Sequence, residues 1–291
     1  MLLLEGKPDV QLFGPIRSGF VRLESTRLRS RAAWLRDALA NYAALANHAA
    51  HPYLVRYQKA VRVLSLVLGV FPLYFVINAR TRGEVAADLT LAIDRAVAFE
   101  PTWQYVYSAV YLFMLLPLFV VRCNELIRRA FWAYLFILVV SFGFFLAYPV
   151  RYPRPELDVS SLATWGARLN FFLDGPHNCF PSLHLGTAFA SALVLWRVDR
   201  PVGLGAMLAA TVIGYSTMAV KQHFFLDVLA GTSLGVAAYA LFVRSYPRGG
   251  RPRAEILRPR RYLLLAAACY GAFVLFCLCG YLADWRPWEP G

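Results

Sequence analysis

The chain has 291 residues, of which 59% are hydrophobic and only 16% are charged, and its formal net charge is +13. A soluble domain of this length would carry more charge and would not need several apolar runs of about twenty residues. The composition therefore excludes an ordinary soluble domain and indicates a polytopic membrane protein. In such a protein a basic excess marks cytoplasmic loops and contact with anionic lipid, and we expect no nucleic-acid partner.

Residues 1–60 are predicted to form a cytoplasmic or interfacial N-terminal region. The apolar start at residues 1–4 is too short for a signal peptide. Residues 26–57 read as an amphipathic helix with arginines near its start, which is typical of a helix lying on a membrane surface. An ordinary cytoplasmic helix packed on the membrane domain would give the same pattern.

Seven apolar runs follow, each long enough to cross about 30 Å of hydrocarbon as a helix, the fourth only marginally. They lie at 61–79, 103–121, 131–149, 183–198, 202–219, 224–243 and 262–283. The predicted fold class is all-α, a polytopic transmembrane helix bundle. It has a six-span catalytic membrane domain at 61–245, followed by a basic cytoplasmic loop and a seventh span at 246–291.

The distribution of arginine and lysine predicts the orientation of these spans. With a cytoplasmic N-terminus, the cytoplasmic segments hold 22 of these residues and the opposite segments hold eight. Cytoplasmic loops of membrane proteins carry such an excess. We therefore expect an integral membrane protein with its N-terminus in the cytoplasm, and the arginine-rich loops suit a bacterial inner membrane.

Three polar clusters fall on the same, non-cytoplasmic side of this arrangement. The first is Tyr148–Pro155 after the third run, the second is Asn178–His184 before the fourth, and the third is Lys221–Asp227 between the fifth and sixth. An error in either intervening span would separate the clusters across the bilayer. Their agreement predicts one site on the non-cytoplasmic face.

Two histidines in these clusters are candidates for catalysis. His223 and Asp227 are four residues apart, so on a helix they would share one face, and the carboxylate would fix the imidazole tautomer and raise its basicity. This predicts His223 as a nucleophile and His184 as its acid–base partner. Two histidines that merely cap helices at the membrane surface would give a similar pattern.

Three cations, Arg151, Arg154 and Lys221, are predicted on the same face as the histidines, and Ser182 would open the fourth helix. Cations, a hydroxyl and free helix amides suit a phosphate or phosphodiester group. No carboxylate or cysteine set has metal-ligand spacing, so we expect no metal and no cofactor. Cys179 is interpreted as a packing residue, and the arginines could instead contact lipid headgroups.

These residues resemble a known family. Pro181-Ser182-Leu183-His184, then Ser216 and His223-Phe224-Phe225-Leu226-Asp227, resemble the second and third signatures of the type 2 phosphatidic-acid phosphatase superfamily, and Arg154-Pro155 resembles the end of the first. The resemblance implies six helices around a metal-free site. It also implies that His223 forms a phosphohistidine, Asp227 orients it, His184 protonates the leaving group, and Ser182 and Arg154 bind phosphoryl oxygens.

Two positions depart from the family pattern. Ala147 stands where a lysine is usual, seven residues before Arg154, and Thr217 stands where an arginine follows the serine. Fewer cations disfavour a phosphomonoester, although Arg151 or Lys221 could compensate. The leucine between Ser182 and His184 is most similar to the inositol phosphorylceramide synthase branch.

The predicted function is therefore a phosphotransferase that moves a phosphoryl headgroup from a lipid phosphate or phospholipid to a lipid alcohol acceptor. The alternative within this class is a metal-independent phosphatase acting on phosphatidate or isoprenyl pyrophosphate. Two alternatives from other classes are a transporter whose histidines relay protons and a catalytically inactive lipid-binding scaffold.

Overall fold

The computed structural model describes residues 58, 61–247, 257 and 261–289. The predicted helix at 26–57 lies outside these residues. Within the described ranges the chain is helical, and it contains no strand, only isolated bridges. The all-α prediction is confirmed for this part of the chain.

Nine helices follow one another within the described ranges. They are α1 (Val61–Gly83), α2 (Ala92–Ala96), α3 (Pro101–Val120), α4 (Asn124–Ala147), α5 (Leu162–Leu173), α6 (Leu183–Val198), α7 (Arg200–Ala219), α8 (Phe225–Val243) and α9 (Arg261–Leu282). Helices α1, α3, α4, α7, α8 and α9 are each long and apolar enough to cross a membrane. The chain therefore has the helix content of an integral membrane protein.

Helix α6 is the shortest of the apolar helices and the most enclosed. Its 16 residues span about 24 Å at 1.5 Å per residue, which is less than the thickness of a bilayer core. It packs against α3, α4, α7 and α8, and most of its residues are buried. Since Ser182 caps the start of α6 and His184 is its second residue, the surrounding helices enclose these two side chains.

Glycines bring α8 close to α6. A Cβ atom added to Gly231 would collide with the backbone oxygen of Ser182, and one added to Gly235 would meet the backbone oxygen of Gly186. Small residues four apart allow two helix backbones to approach in this way. The close approach fixes the start of α8 against the start of α6.

One long helix begins earlier than its apolar run, and two short helices were not predicted. Helix α4 begins at Asn124 and not at 131, because Glu125 pairs with Arg128 at 2.6 Å and with Arg129 at 2.7 Å within its first turns. Helices α2 and α5 were not predicted. Both are too short to show as apolar runs.

Two arginines join helices α4 and α6 to the segment after α8 at one end of the bundle. Arg129 donates to the Ser245 hydroxyl at 2.7 Å, and Arg197 donates through Nε to the backbone oxygen of Tyr246 at 2.6 Å. The start of α4 and the end of α6 therefore meet the segment after α8 at the same end. This end is opposite to the one that carries the histidines.

Candidate active site

His184 and His223 form a direct contact. Nδ1 of His184 lies 3.0 Å from Nε2 of His223, and both side chains are buried. His184 is the second residue of α6, whereas His223 lies in the turn before α8. Residues 39 positions apart are thus brought within hydrogen-bond distance.

Asp227 lies on the far side of the His223 ring. One of its carboxylate oxygens, Oδ2, is 3.4 Å from Nδ1 of His223 and accepts the backbone N–H of Phe224 at 2.9 Å. His223 and Asp227 are paired as expected, but they do not share one helix face. His223 precedes the helix, and Asp227 caps it. The buried Oδ1 of Asp227 has no hydrogen-bond partner in the described part of the chain.

Backbone hydrogen bonds hold this arrangement. The N–H of Ser182 donates to the backbone oxygen of Asp227 at 3.1 Å, which ties the start of α6 to the first turn of α8. The N–H groups of Gln222 and His223 both donate to the backbone oxygen of Thr217, at 2.9 and 3.3 Å. The turn that carries His223 is therefore fixed by the end of α7.

Two tyrosines of α3 lie on the other side of His184. The Tyr107 hydroxyl is 3.3 Å from Nε2 of His184 and also 3.3 Å from the Tyr111 hydroxyl. Both tyrosine rings contact the imidazole edge to face, with centroids 5.3 and 5.7 Å from it. Neither tyrosine was predicted from the sequence, because both lie in an apolar run with no charged neighbour.

Ser182 is the N-cap of α6. Its hydroxyl oxygen accepts the N–H of Leu185 at 3.4 Å, and the residue is fully buried. The N–H groups of Leu183 and His184, which begin the helix, have no carbonyl partner within it. These two amides and the Ser182 hydroxyl could therefore bind an anion at the start of α6.

The guanidinium of Arg154 donates hydrogen bonds mainly to backbone oxygens. Its two terminal nitrogens donate to the backbone oxygens of Phe171 (3.0 Å), Asp174 (2.5 Å) and Gly175 (3.0 Å), and to the side-chain oxygen of Gln222 (2.7 Å). Its Nε is buried without a partner among the described residues. The predicted phosphate-binding arginine thus joins the end of α5 to the turn that carries His223 and retains one unpaired N–H.

Among the described residues, the other two predicted cations make no hydrogen bond to His184 or His223. Lys221 donates to the backbone oxygens of Asp94 (3.2 Å) and Val97 (2.5 Å), and burial lowers its pKa, an effect that the Asp94 charge opposes. Arg151 is exposed. Burial and then the charge of Arg151 lower the pKa of His177.

Asp94 is a further residue that the sequence analysis missed. Its carboxylate accepts the N–H of Phe225 at 2.7 Å and the N–H of Leu91 at 2.8 Å. It therefore connects α2 to the first turn of α8, close to His223. The sequence contained little indication of this role, because a single aspartate in a polar connection is common.

Cys179 lies beside the catalytic candidates. Potential ligand atoms of Cys179, His223 and Asp227 lie within 4.8 Å of one another, a spacing that could hold a metal ion. The form of cysteine that binds metals is the thiolate. Burial raises the pKa of this thiol, which also donates to the backbone oxygen of Pro176 at 3.1 Å. Both features favour the protonated thiol, which is a poor ligand.

An apolar cavity of about 490 Å³ opens on His184. Its lining includes residues of α1, α3, α5 and α9, together with Asp174 and His184. The Asp174 carboxylate accepts the Tyr74 hydroxyl at 2.6 Å. Burial raises the pKa of Asp174, against the opposing effects of the Tyr74 hydrogen bond and the Arg154 charge.

A second apolar cavity of about 260 Å³ continues from the first toward Arg62. The two cavities share the lining residues Phe71, Tyr111, Met114 and Leu183. Together they make an apolar volume between helices, and His184 is one of the residues that line it. A hydrocarbon chain is the ligand that such a lining suits.

Part of this chain is similar to a known protein family. Residues 130–251 match the family model of the PAP2 superfamily. A PA-phosphatase related-family protein of Dictyostelium discoideum is 33% identical over 64 residues, which is 22% of this chain and 12% of that relative. The aligned part is therefore only about an eighth of the relative. No solved structure matches this chain.

Proposed function

We propose, from the match of residues 130–251 to the family model of the PAP2 superfamily, that the protein transfers a phosphoryl headgroup between lipids through a phosphohistidine, in the manner of the inositol phosphorylceramide synthase branch. The superfamily comprises phosphatases and phosphotransferases, so a lipid phosphate ester is the expected substrate. The proposed donor is a phospholipid and the proposed acceptor is a lipid alcohol.

The observation that carries the proposal is the sequence of contacts from His184 through His223 to Asp227. An ionised carboxylate only accepts hydrogen bonds, so its contact with His223 requires the proton on Nδ1. In neutral imidazole this leaves Nε2 with a free lone pair. The nitrogen best prepared to attack phosphorus is therefore the one that faces His184.

In the first step, Nε2 of His223 attacks the phosphorus of the donor, and the bond from phosphorus to the leaving oxygen breaks. His184 enters this step as the imidazolium. Its Nδ1 gives its proton to that oxygen, so the ring becomes neutral and the first product leaves as an alcohol. A phosphoryl group must enter between two nitrogens that are now 3.0 Å apart. Substrate binding is therefore expected to separate the two rings.

In the second step, the acceptor alcohol attacks the phosphorus of the phosphohistidine. Its proton passes to Nδ1 of His184, and the bond between phosphorus and Nε2 of His223 breaks. Both histidines return to their starting protonation states. Water in place of the alcohol would give hydrolysis by the same steps.

The arrangement of charge favours a diester over a monoester. Arg154 makes four hydrogen bonds to protein oxygens, and Lys221 donates to the carbonyls of residues 94 and 97. A phosphodiester carries one negative charge fewer than a phosphomonoester near neutral pH. It therefore needs fewer free cations, and the unpaired Nε–H of Arg154 with the first amides of α6 could serve it.

The apolar cavity supports a lipid as the substrate. It places hydrocarbon-lined volume next to the imidazole of His184. The buried ionisable groups gather at this end of the bundle, around His184, His223 and Asp227. A proton-relay transporter would instead need such groups along a path through the membrane.

The test uses purified protein in mixed micelles with phosphatidylinositol as donor and ceramide as acceptor. Transfer predicts diacylglycerol formation that depends on added ceramide, and a ³²P label that is trapped on His223 and lost in His223→Ala. Release of inorganic phosphate from phosphatidate without an acceptor would assign the protein as a phosphatase. Failure to label His223 with either lipid would refute the phosphohistidine.

A further inference from the structure

We infer that Gln104 and Asn170 form a polar subsite in the apolar cavity that His184 lines, and that this polar subsite binds an amide group carried by a hydrocarbon-chain ligand. The assignment of that ligand as the acceptor alcohol rests on the proposed function. Gln104 on α3 and Asn170 on α5 both belong to the cavity lining. Neither residue takes part in the reaction steps above.

Each of these two side chains has a buried polar atom without a partner. Gln104 is 2% exposed and Asn170 is 6% exposed. Among the described residues, Oε1 of Gln104 and Nδ2 of Asn170 make no hydrogen bond. An unpaired buried donor or acceptor is unfavourable, and most such atoms in proteins have a partner. A free acceptor and a free donor that line one cavity therefore indicate a ligand that supplies both partners.

The hydroxyl of Ser108 fixes the orientation of the Gln104 amide. Ser108 donates its hydrogen to the backbone oxygen of Gln104 at 2.8 Å, and its oxygen accepts Nε2 of Gln104 at 2.9 Å. The opposite orientation of the amide would place two acceptor oxygens against each other. The unpaired atom of Gln104 is therefore the oxygen, which only accepts, whereas the unpaired nitrogen of Asn170 only donates.

Helix packing places the two side chains in neighbouring turns of α3 and α5. A Cβ atom added to Gly166 would lie 3.4 Å from Cγ of Gln104, so Gln104 packs against α5 at this glycine. Asn170 is about one helical turn beyond Gly166. His184 lines the same cavity. A ligand held by the polar subsite therefore shares its cavity with the proposed acid–base histidine.

A secondary amide matches the polar subsite. It has one N–H to donate to Oε1 of Gln104 and one carbonyl oxygen to accept Nδ2 of Asn170. The hydroxyl of the acceptor cannot serve Gln104 during transfer, because it gives its proton to His184 as its oxygen attacks phosphorus. An ester has a carbonyl oxygen but no N–H, so it would leave Gln104 unpaired. The polar subsite therefore favours an alcohol that carries an amide over one that carries only esters.

One cavity can hold the donor and the acceptor in turn. In the proposed reaction the first product leaves before the acceptor attacks, so the two lipids need not be bound together. The ester-linked chains of phosphatidylinositol offer no N–H to Gln104 and use only the apolar lining. Loss of the polar subsite should therefore weaken binding of the acceptor and not of the donor.

The test measures binding of two probes that differ at the amide, N-dodecylacetamide and dodecyl acetate. Each is titrated calorimetrically into the purified full-length protein in one detergent, and the ratio of the two Kd values is compared between variants, so that partitioning into micelles cancels. We expect Gln104→Met to reduce the preference for the amide about tenfold, because only the amide donates to Oε1. Ser141→Ala is the control, since it removes a buried hydroxyl of α4 that has no partner in the described chain and belongs to the lining of neither cavity.

A second variant keeps the test decisive if Gln104→Met fails to fold. Asn170→Leu should weaken both probes, because both carry a carbonyl oxygen, and it should not lower the unfolding temperature, because the lost N–H has no partner to lose. Binding of both probes at wild-type strength in Asn170→Leu would overturn the polar subsite. An unchanged preference for the amide in folded Gln104→Met would overturn it as well.

Turnover tests the assignment of the ligand as the acceptor. With ceramide, which carries an amide beside its hydroxyl, Gln104→Met should raise the KM for ceramide about tenfold and leave the KM for phosphatidylinositol little altered. An unchanged KM for ceramide would overturn that assignment. If the amide preference depends on Gln104 but His223 is labelled by neither lipid, the proposed function fails while the polar subsite stands.

Discussion

At the scale of single residues, Asp227 combines a structural and a chemical contact. Its Oδ2 accepts the N–H of Phe224 at the start of α8 and lies 3.4 Å from Nδ1 of His223. Asparagine can keep the first contact through its amide oxygen. Its amide N–H₂ can instead face Nδ1 of His223 and select the wrong tautomer, with Nε2 protonated.

We therefore expect Asp227→Asn to lower kcat by about 10³-fold or more, as loss of the correct tautomer does in related triads, with little change in thermal unfolding. Asp227→Ala is the matched variant, because it also removes the helix cap and should lower the unfolding temperature. Initial rates and unfolding in detergent measure both effects. Near wild-type turnover in Asp227→Asn would contradict the role of the carboxylate.

Arg154 shows that one arginine can have a role different from the one its motif implies. It was predicted to bind a phosphoryl oxygen, whereas its guanidinium donates to three backbone oxygens and to Gln222. A lysine has one ammonium group and cannot reproduce this fork of donors. Arg154→Lys should therefore destabilise the protein even without substrate.

The expected loss for Arg154→Lys is about 2–4 kcal/mol in the free energy of unfolding, because buried carbonyl oxygens lose their donors. Equilibrium unfolding in detergent without any phosphate compound measures this loss. The exposed Arg151 provides the control, since Arg151→Lys should leave stability unchanged. A purely phosphate-binding Arg154 would give the opposite result, a raised KM with normal stability.

The residues that sequence reasoning found and missed differ in a physical way. His184, His223 and Asp227 stand out because charged or polar residues in an apolar chain are expensive to bury without a purpose. Tyr107 does not, because a tyrosine is compatible with an apolar helix whether or not its hydroxyl has a partner. Only the three-dimensional contact with Nε2 of His184 distinguishes it.

At the scale of helices, the α6–α8 contact sets the distance between the two histidines. Gly231 and Gly235 of α8 lie against backbone oxygens of α6, at Ser182 and Gly186. A methyl group at Gly231 can be accommodated only if one helix moves, because the atom that it would meet is the backbone oxygen of Ser182. The start of α6 would then shift relative to α8, and His184 would shift relative to His223.

Gly231→Ala is therefore expected to destabilise the protein by about 1–3 kcal/mol and to lower turnover by at least about tenfold. Gly205→Ala on α7 is the control, since a Cβ atom there meets nothing within 4 Å. The two substitutions are chemically identical and differ only in packing. Equal effects of both on unfolding and on initial rates would rule out the close contact as the cause.

Helix α9 contributes side chains to the lining of the apolar cavity. It lies outside the region that matches the PAP2 family model. Phe273 and Cys277 of α9 line the cavity, and Trp165 of α5 donates to the backbone oxygen of Trp285 at 2.9 Å just after α9. Cys277 is buried, whereas Cys269 on the same helix is exposed. A larger side chain at Cys277 should fill the cavity.

We expect Cys277→Phe to reduce turnover of a long-chain phosphatidylinositol several-fold more than turnover of a dioctanoyl analogue. Cys269→Phe, which adds the same ring to an exposed position, should leave the ratio of the two rates unchanged. Rates with the two lipids in the same detergent give this ratio. An unchanged ratio in Cys277→Phe would show that the cavity does not hold the substrate chain.

Sequence patterns predicted the long helices better than the short ones. Seven apolar runs became helices because burying a polar backbone in hydrocarbon requires helical hydrogen bonding over the whole run. The connections carry no comparable constraint, so α2 and α5 depend on local caps and tertiary contacts. In α5 the cap is reciprocal, with Ser161 and Thr164 each accepting the other's backbone N–H, at 3.2 and 3.0 Å.

At the scale of the whole molecule, the bundle has two chemically different ends. One end carries the paired histidines, and the other carries Arg129 and Arg197, which bind the segment after α8. The prediction that the polar clusters share one side follows from counting spans, and the 3.0 Å histidine contact satisfies that geometric requirement. Which end faces the cytoplasm remains a prediction from the distribution of basic residues.

The orientation can be tested with single cysteines introduced at two exposed arginines. Arg151 follows α4 at the histidine end, and Arg200 begins α7 at the opposite end. The excess of arginine and lysine on the Arg200 side predicts that this side is cytoplasmic. A membrane-impermeant maleimide should therefore label Arg151→Cys in intact bacterial cells and label Arg200→Cys only after permeabilisation.

Peptide mapping by mass spectrometry separates these labels from any on the five native cysteines. The reverse pattern would place the histidines on the cytoplasmic side and require a lipid donor and acceptor from that leaflet. Labelling of both positions in intact cells would contradict the two-ended bundle itself, since it would put both ends outside. The expected pattern limits the substrates to lipids that can reach the non-cytoplasmic leaflet, because His184, which lines the cavity, would lie on that side.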